Sequence, residues 1–235
     1  MLLQHIGIIM DGNRRFAKQL MKKPWMGHKK GVDKAMEVLE WSCKKGIRYM
    51  TAYALSVENI HTRPKKELNM IFKYFMEEAD NILANREHII HKLNVNVKFI
   101  GRLALLPEEL QERIKNVEAV TRNYKTHFLN IAVAYGGQQE IVDATKKILE
   151  KGLKGIIKPS DLNEELVKES LYTNGQPSPD LIIRTGGEKR LSNFLSFQSA
   201  YSELVFTDSK WPELQKKDFE SILEEFTQRK RRFGA

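Results

Sequence analysis

Cysteine is nearly missing from this chain. Cys43 is the single one, so neither an intrachain disulfide nor a thiolate metal cluster can form. No apolar run approaches the roughly 18 residues needed to cross a bilayer. The opening MLLQHIGIIMDG is short and lacks the basic-then-apolar order of a secretory signal. The expected location is therefore cytoplasmic. There is no Gly-x-x-x-x-Gly-Lys-Ser/Thr and no Gly-x-Gly-x-x-Gly, so the familiar nucleotide cradles are unsupported. The histidines show no His-x-x-x-His pair and no zinc spacing. No Pro/Gly/Ser-rich linker, low-complexity block or internal repeat interrupts the chain, and residues 1–235 are expected to form one domain.

What is present is charge, and more of one sign. Lysine and arginine number 39 against 30 aspartates and glutamates, a formal net charge of +9. Such a balance suits an anionic partner: nucleic acid, a membrane surface or small diphosphates. The basic residues 229–232 sit in no recognised nucleic-acid module, and no nucleic acid is expected.

Periodicity alternates between strand and helix. Leu3–Met10 reads as a buried strand ending at Asp11-Gly12. Val32, Ala35, Met36, Leu39 and Cys43 recur at helical spacing, and Ile47–Leu55 is rich in β-formers. Leu68, Ile71, Phe72, Phe75, Ala79, Ile82 and Leu83 form a long helical stripe, either core or the wall of a cavity for an apolar ligand. Val95–Ile100, Phe128–Tyr135, Pro179–Ile183 and Glu203–Thr207 are further strand candidates. Helices are predicted after Pro107, over 138–150, more weakly over 162–172, and around Phe219–Phe226. This alternation predicts an α/β fold with a mostly parallel central sheet flanked by helices. Ligand groups then gather beyond the C-terminal strand ends. Asp11, Ser56–Asn59, Gly136-Gly137 and Arg184–Gly187 all fall there.

Two polar clusters can carry chemistry. In Asp11-Gly12-Asn13-Arg14-Arg15 the carboxylate suits Mg²⁺, and the glycine exposes a backbone N–H. The asparagine amide and the arginine forks suit phosphate oxygens. The same five residues also fit an Asx-turn with solvated arginines. Arg184, Arg190 and Ser192 flank a glycine turn in a similar way, with Glu188 able to orient an arginine. His28 lies near a helix start and is either a phosphate donor or structural. Glu67 follows Arg63 by four residues, one helical turn. That pair either stiffens a helix or fixes a loop over a ligand.

Three stretches carry a specific resemblance: HIGIIMDGNRRFAK at 5–18, YALSVEN with RPKKE within 53–67, and DLIIRTGGEKRLSNFLSFQSAYSELVFTD at 180–208. QRKRRFG at the end, GHKKG at 27–31 and LNIAVAYGGQQEIV at 129–142 agree. The chain resembles the cis-prenyltransferase family, of the undecaprenyl diphosphate synthase type. The resemblance implies an apolar tunnel beside the sheet and a homodimer. It implies Mg²⁺-dependent condensation of isopentenyl diphosphate onto an allylic diphosphate, farnesyl or geranylgeranyl, to a long polyprenyl diphosphate. The trans-type enzymes use Asp-rich helices, and no DDxxD occurs here. By the same resemblance, Asp11 is the catalytic carboxylate and a metal ligand, with Glu203 assisting the metal and Asn59 and Ser56 near the reacting carbon. Gly12, Asn13, Arg14, Arg15 and His28 hold the allylic diphosphate. Arg184, Arg190, Ser192 and Arg231 hold isopentenyl diphosphate, Arg231 from a tail that reaches the dimer partner. Glu67 belongs to the mobile loop. Release of the lipid product implies a transient membrane-surface contact.

Some positions depart from the family pattern. Pro24 stands where an arginine is common, leaving Lys22, Lys23 or Lys29 to replace its charge. Ile60 and Leu55 replace common aromatics, and the loop from Asn59 to Arg63 is one residue longer than the usual bacterial form. Two alternatives remain: a phosphate-binding α/β hydrolase, which Asp11 after a strand invites, and a noncatalytic partner subunit of the same fold.

Overall fold

The computed structural model describes residues 3–228; the expectation for Arg231 lies outside them. The elements alternate as the periodicity predicts. β1 (His5–Ile9) leads to α1 (Asn13–Gln19) and α2 (Pro24–Lys44), and β2 (Tyr49–Ser56) to α3 (Val57–Thr62) and α4 (Lys65–Ala84). α5 (Ile89–Lys92), β3 (Val95–Ile100), α6 (Glu108–Thr121) and β4 (His127–Tyr135) follow. α7 (Gly137–Leu153), α8 (Glu164–Ser170), β5 (Leu181–Arg184), β6 (Glu203–Phe206) and α9 (Lys216–Gln228) complete the described chain.

The strands form one six-stranded sheet in the order β3-β4-β2-β1-β5-β6. Every described pairing is parallel. A parallel sheet is buried on both faces, which explains why β1 and β5 bury every residue. The larger core packs α2, α4, α6 and α9 onto one face through Val38, Leu39, Phe72, Ile114, Phe219 and Phe226. A smaller cluster of Ile9, Tyr53, Tyr135, Ile182, Phe194 and Leu195 fills the other face.

β1 lies between β2 and β5, so the chain leaves it first in one direction and later in the other. The crevice beyond the C-terminal ends at such a reversal is where open α/β sheets bind ligands. Asp11, Ser56 and Arg184 stand at or just past the ends of β1, β2 and β5.

Three short helices depart from the sequence reading. Asn13–Gln19 reads as a polar turn but forms α1, because packing rather than periodicity fixes it. α1 rests directly on α2 at Gly27, where a Cβ would come within 2.0 Å of the Asn13 carbonyl oxygen. α3 and α5 are also unpredicted. α3 starts where the Ser56 hydroxyl accepts the Asn59 N–H at 3.1 Å, an N-cap just past the run read as strand.

Candidate active site

Asp11 is fixed by its backbone and charged by its neighbours. Its carbonyl accepts the Thr185 hydroxyl at 2.8 Å and the Trp211 N–H at 2.9 Å. Oδ1 accepts the Gly12 N–H at 2.6 Å and lies 3.2 Å from Arg15 Nη2. Oδ2 accepts from Arg184 Nη2 at 3.0 Å. Partial burial alone would raise its pKa. The Arg184 hydrogen bond, the Gly12 N–H and the Arg15 charge outweigh that, and the carboxyl stays below its ordinary value. Gly186 permits the approach: its φ is +87°, and a Cβ there would meet Arg15 Nη2 at 2.7 Å.

Arg184 ends β5 and is 4% exposed. Its Nη1 donates to the Ser192 hydroxyl at 2.8 Å and to the Arg190 carbonyl. Ser192, Asn193 and Leu195 all take positive φ, of 50°, 64° and 47°. Non-glycine residues in that region cost energy and persist only when the surroundings hold them. Asn193 does the holding. Its Oδ1 accepts the Gln138 N–H at 2.8 Å, and its Nδ2 donates to Gln139 at 2.9 Å and Glu58 at 3.1 Å. Arg190 itself points to the rim and pairs there with Glu188.

The second charged knot centres on Glu67, in the first turn of α4 and 3% exposed. Arg63 lies 2.5 Å, His28 Nε2 3.0 Å and Arg14 Nε 3.5 Å from its Oε1. The expected one-turn Arg63–Glu67 pair is thus present, and it also draws in α1 and α2. The His28 hydrogen bond leads in lowering the Glu67 pKa to about 2, against the opposing effect of burial and with help from Arg63 and Arg14. His28 is pushed below its ordinary value, chiefly by burial.

These residues line two polar spaces and adjoin a third, apolar one. One of about 660 Å³ is lined by Asp11, Gly12, Asn13, Arg14, Arg15, Lys18, Lys22, Pro24, His28 and Arg63, among others. A second, of about 620 Å³, is lined by Asp11, Asn13, Arg14, His28, Ser56, Asn59, Arg63, Arg184 and Ser192, with others. Both also touch a narrow apolar channel of about 90 Å³, running between α2, α4 and the sheet, through Met10, Asn13 and His28. Ile71, Tyr74 and Phe75 wall that channel while Phe72 joins the core, so the α4 stripe serves both purposes. Arg63 and Arg184, both beside the second space, each keep a buried Nε–H without a partner. A buried donor left unpaired is costly, and an anion would satisfy it.

The expected site residues of β1, β2, α2, β5 and the following loop are thus brought together. Glu203 is not. It opens β6, level with Leu181 and three residues below Phe206, which pairs with Arg184. At about 3.3 Å per residue it lies roughly 10 Å down the sheet from the crevice. This register sets Glu203 apart from Asp11 within one chain. The sequence reading gave no role to Lys18 or Trp211, and placed Asn193 in the second polar cluster without one. Of the three candidate substitutes at the Pro24 departure, Lys22 is the one that lines the Asp11–Arg15 space.

Among the described residues, no group of three or more His, Cys, Asp or Glu side chains forms a cage for a metal. An ionised carboxylate facing a polar space nevertheless fits Mg²⁺, which takes one or two carboxylates together with phosphate oxygens and water. No helix among the described residues is long and apolar enough to cross a membrane.

Comparison with known proteins places this geometry. Residues 9–234 match the family model described as "Putative undecaprenyl diphosphate synthase". The chain belongs to the cis-prenyltransferase family. It is 49% identical over 231 residues to a tritrans,polycis-undecaprenyl-diphosphate synthase (geranylgeranyl-diphosphate specific) of Methanopyrus kandleri, covering 98% of this chain and 84% of that one. The protein of the same description from Pyrococcus furiosus is 48% identical over 231 residues, covering 98% and 86%. Among solved structures, lavandulyl diphosphate synthase from Lavandula x intermedia, in complex with dimethylallyl diphosphate, superposes with a TM-score of 0.92 at 33% identity, covering 99% and 98% of the two chains. A probable undecaprenyl diphosphate synthase from Campylobacter jejuni gives a TM-score of 0.81 at 33% identity, covering both chains fully. As a cis-prenyltransferase, the chain is an enzyme of the transferase class.

Proposed function

We propose that this cis-prenyltransferase extends geranylgeranyl diphosphate with isopentenyl diphosphate units to a polyprenyl diphosphate of the undecaprenyl class. The reading rests chiefly on one arrangement: Asp11, held ionised by Arg184 and Arg15, borders both polar spaces where an apolar channel begins. Choice of the C20 primer follows the geranylgeranyl specificity in the names of the relatives.

In this reading the allylic diphosphate occupies the Asp11–Lys22 space. Arg14, Arg15, Lys18 and Lys22 supply positive charge there, with the Gly12 backbone, Asn13 and His28 as further contacts. Isopentenyl diphosphate occupies the Arg184 side, where Arg184, Ser192 and Arg190 hold its diphosphate. Asp11 would hold Mg²⁺, which would supply charge to neutralise the diphosphate. The allylic C1–O bond breaks, and diphosphate departs with both electrons. Fixed cations are worth most against charge that develops away from water. The isopentenyl double bond supplies the electrons for the new C–C bond to C1. A proton then leaves C2 on the side lined by Asn59 and Ser56, and one-sided loss sets the cis double bond. The product is an allylic diphosphate five carbons longer, with diphosphate and a proton released. Its tail enters the channel past Met10, where each buried methylene gains about 0.8 kcal/mol.

The working unit in this reading is a homodimer. Leu149 and Leu153 on α7, with Ile156 beyond it, are 60%, 80% and 66% exposed, and Tyr201 beside edge strand β6 is 73% exposed. A second copy would cover exposed apolar side chains such as these. Glu203 would then serve a metal only across such an interface. Competition between farnesyl and geranylgeranyl diphosphate for labelled isopentenyl diphosphate tests the primer. Preference for geranylgeranyl is expected; preference for farnesyl overturns that choice.

A further inference from the structure

Asn193 sits in a socket at the Gly136-Gly137 pair, where β4 gives way to α7. The Gly137 N–H donates to the Asn193 carbonyl at 2.7 Å, and the Gln138 N–H donates to its Oδ1 at 2.8 Å. Both are first-turn donors of α7, which have no acceptor within their own helix. The glycines make the room. A Cβ on Gly136 would meet Asn193 Nδ2 at 2.8 Å, and one on Gly137 would strike Ser196. From the socket, Nδ2 reaches over to α3 and donates to Glu58 Oε1 at 3.1 Å. Glu58, Asn59, Arg184, Ser192 and Asn193 all line the second polar space. On its other side the loop rests on Tyr53, whose hydroxyl lies 3.3 Å from the Ser192 carbonyl and whose ring stacks on Phe194 at 4.8 Å.

We infer that Asn193 is a positioning residue for isopentenyl diphosphate, and that its amide bridge to Glu58 sets the span between the Ser192 loop and the helix carrying Asn59. The inference rests on the prenyltransferase reading, in which Arg184 and Ser192 hold the diphosphate of that substrate. One end of the substrate is then anchored on the loop, and its carbons react beside α3. Asparagine tolerates positive φ better than most residues, whereas serine does not. Ser192 therefore keeps its place through its neighbour. Its hydroxyl stands 2.8 Å from Arg184 Nη1, and a loop that relaxed would withdraw it. The bridge also has charge behind it. Partial burial would raise the Glu58 pKa, but its own N–H, the Ser56 hydroxyl and the Asn193 amide outweigh that, and the carboxyl stays below its ordinary value.

The test is a donor–acceptor exchange, read as KM for isopentenyl and for geranylgeranyl diphosphate, with unfolding midpoints alongside. Asn193→Asp keeps the acceptor for the Gln138 N–H but sets a carboxylate against Glu58. It is expected to raise the isopentenyl KM at least about tenfold, the scale of one hydrogen bond to a charged group, and to leave the allylic KM unchanged. Gln139, whose Oε1 accepts from Nδ2 at 2.9 Å, can turn its amide to suit either residue. Adding Glu58→Gln gives the new carboxylate a donor, and the double variant should return to within about threefold of wild type. Asn193→Gly takes the same backbone conformation freely but lacks the amide, and it too should raise the isopentenyl KM. A lowered midpoint with both KM values intact would leave Asn193 a purely structural part and overturns the inference. So does a double variant no better than Asn193→Asp, or a glycine variant equal to wild type. Wild type that incorporates no isopentenyl diphosphate overturns the substrate reading and this inference with it. Wild-type incorporation with unaltered variants overturns the inference alone.

Discussion

Arg184 Nη2 lies 3.0 Å from Asp11 Oδ2, joining the ends of two neighbouring parallel strands 173 residues apart in sequence. The bond makes one electrostatic unit of the carboxylate and the guanidinium. Arg184 is almost fully buried, so Asp11 and whatever anion enters beside it must balance its charge.

Asp11→Ala is therefore expected to reduce kcat by roughly a hundred- to a thousandfold, about 3–4 kcal/mol in the barrier. It also leaves Arg184 with an uncompensated charge, which costs about 1–3 kcal/mol of stability. Steady-state kinetics together with thermal unfolding separate the two effects. Near-normal kcat in a folded variant would remove Asp11 from the chemistry.

Arg15 and Arg190 stand on different sides of Asp11. Arg15→Ala should raise KM mainly for the allylic diphosphate. Arg190→Ala should raise it mainly for isopentenyl diphosphate, once Arg190 exchanges its rim partner Glu188 for the substrate. Equal losses for both substrates would show one shared network instead of two sites.

Lys22 replaces the missing arginine charge beside Pro24 in this reading. Lys22→Ala should weaken the allylic substrate about tenfold, roughly 1–2 kcal/mol for one charged hydrogen bond. Lys23→Ala should leave that affinity unchanged. Inhibition by a nonreactive allylic diphosphate analogue measures both.

Glu67 predicts an acid signature. Its folded-state pKa, about 2, lies below the ordinary 4.5. The stability it contributes is therefore complete above about pH 4.5 and disappears as pH falls through about 2. Wild type should exceed Glu67→Gln in unfolding midpoint by a constant margin at neutral pH, and the two should converge in acid. A margin unchanged down to pH 2 would contradict an ionised Glu67.

The sheet was legible because its strands are short apolar runs punctuated by Gly, Pro and Asp. The site was legible where strand ends carry polar clusters, as at Asp11 and Arg184. Local pattern could not reveal α1, whose place depends on Gly27 lying against the Asn13 backbone. Spacing announced the Arg63–Glu67 pair but not the arrival of Arg14 and His28 from other helices. Nor did order along the chain show that Glu203 starts its strand at the far end of the sheet. Asn193, in a polar run, acts through loop geometry that only the fold displays.

Incubation of the purified chain with geranylgeranyl diphosphate, labelled isopentenyl diphosphate and Mg²⁺ tests the proposed reaction most directly. Products are resolved by chain length, and the new double bonds by NMR. The expected result is label in a long polyprenyl diphosphate whose added units are cis, with one diphosphate released per unit. Phosphate release without incorporation would indicate a hydrolase, and no incorporation with any allylic primer would indicate a noncatalytic subunit; either would contradict the assignment.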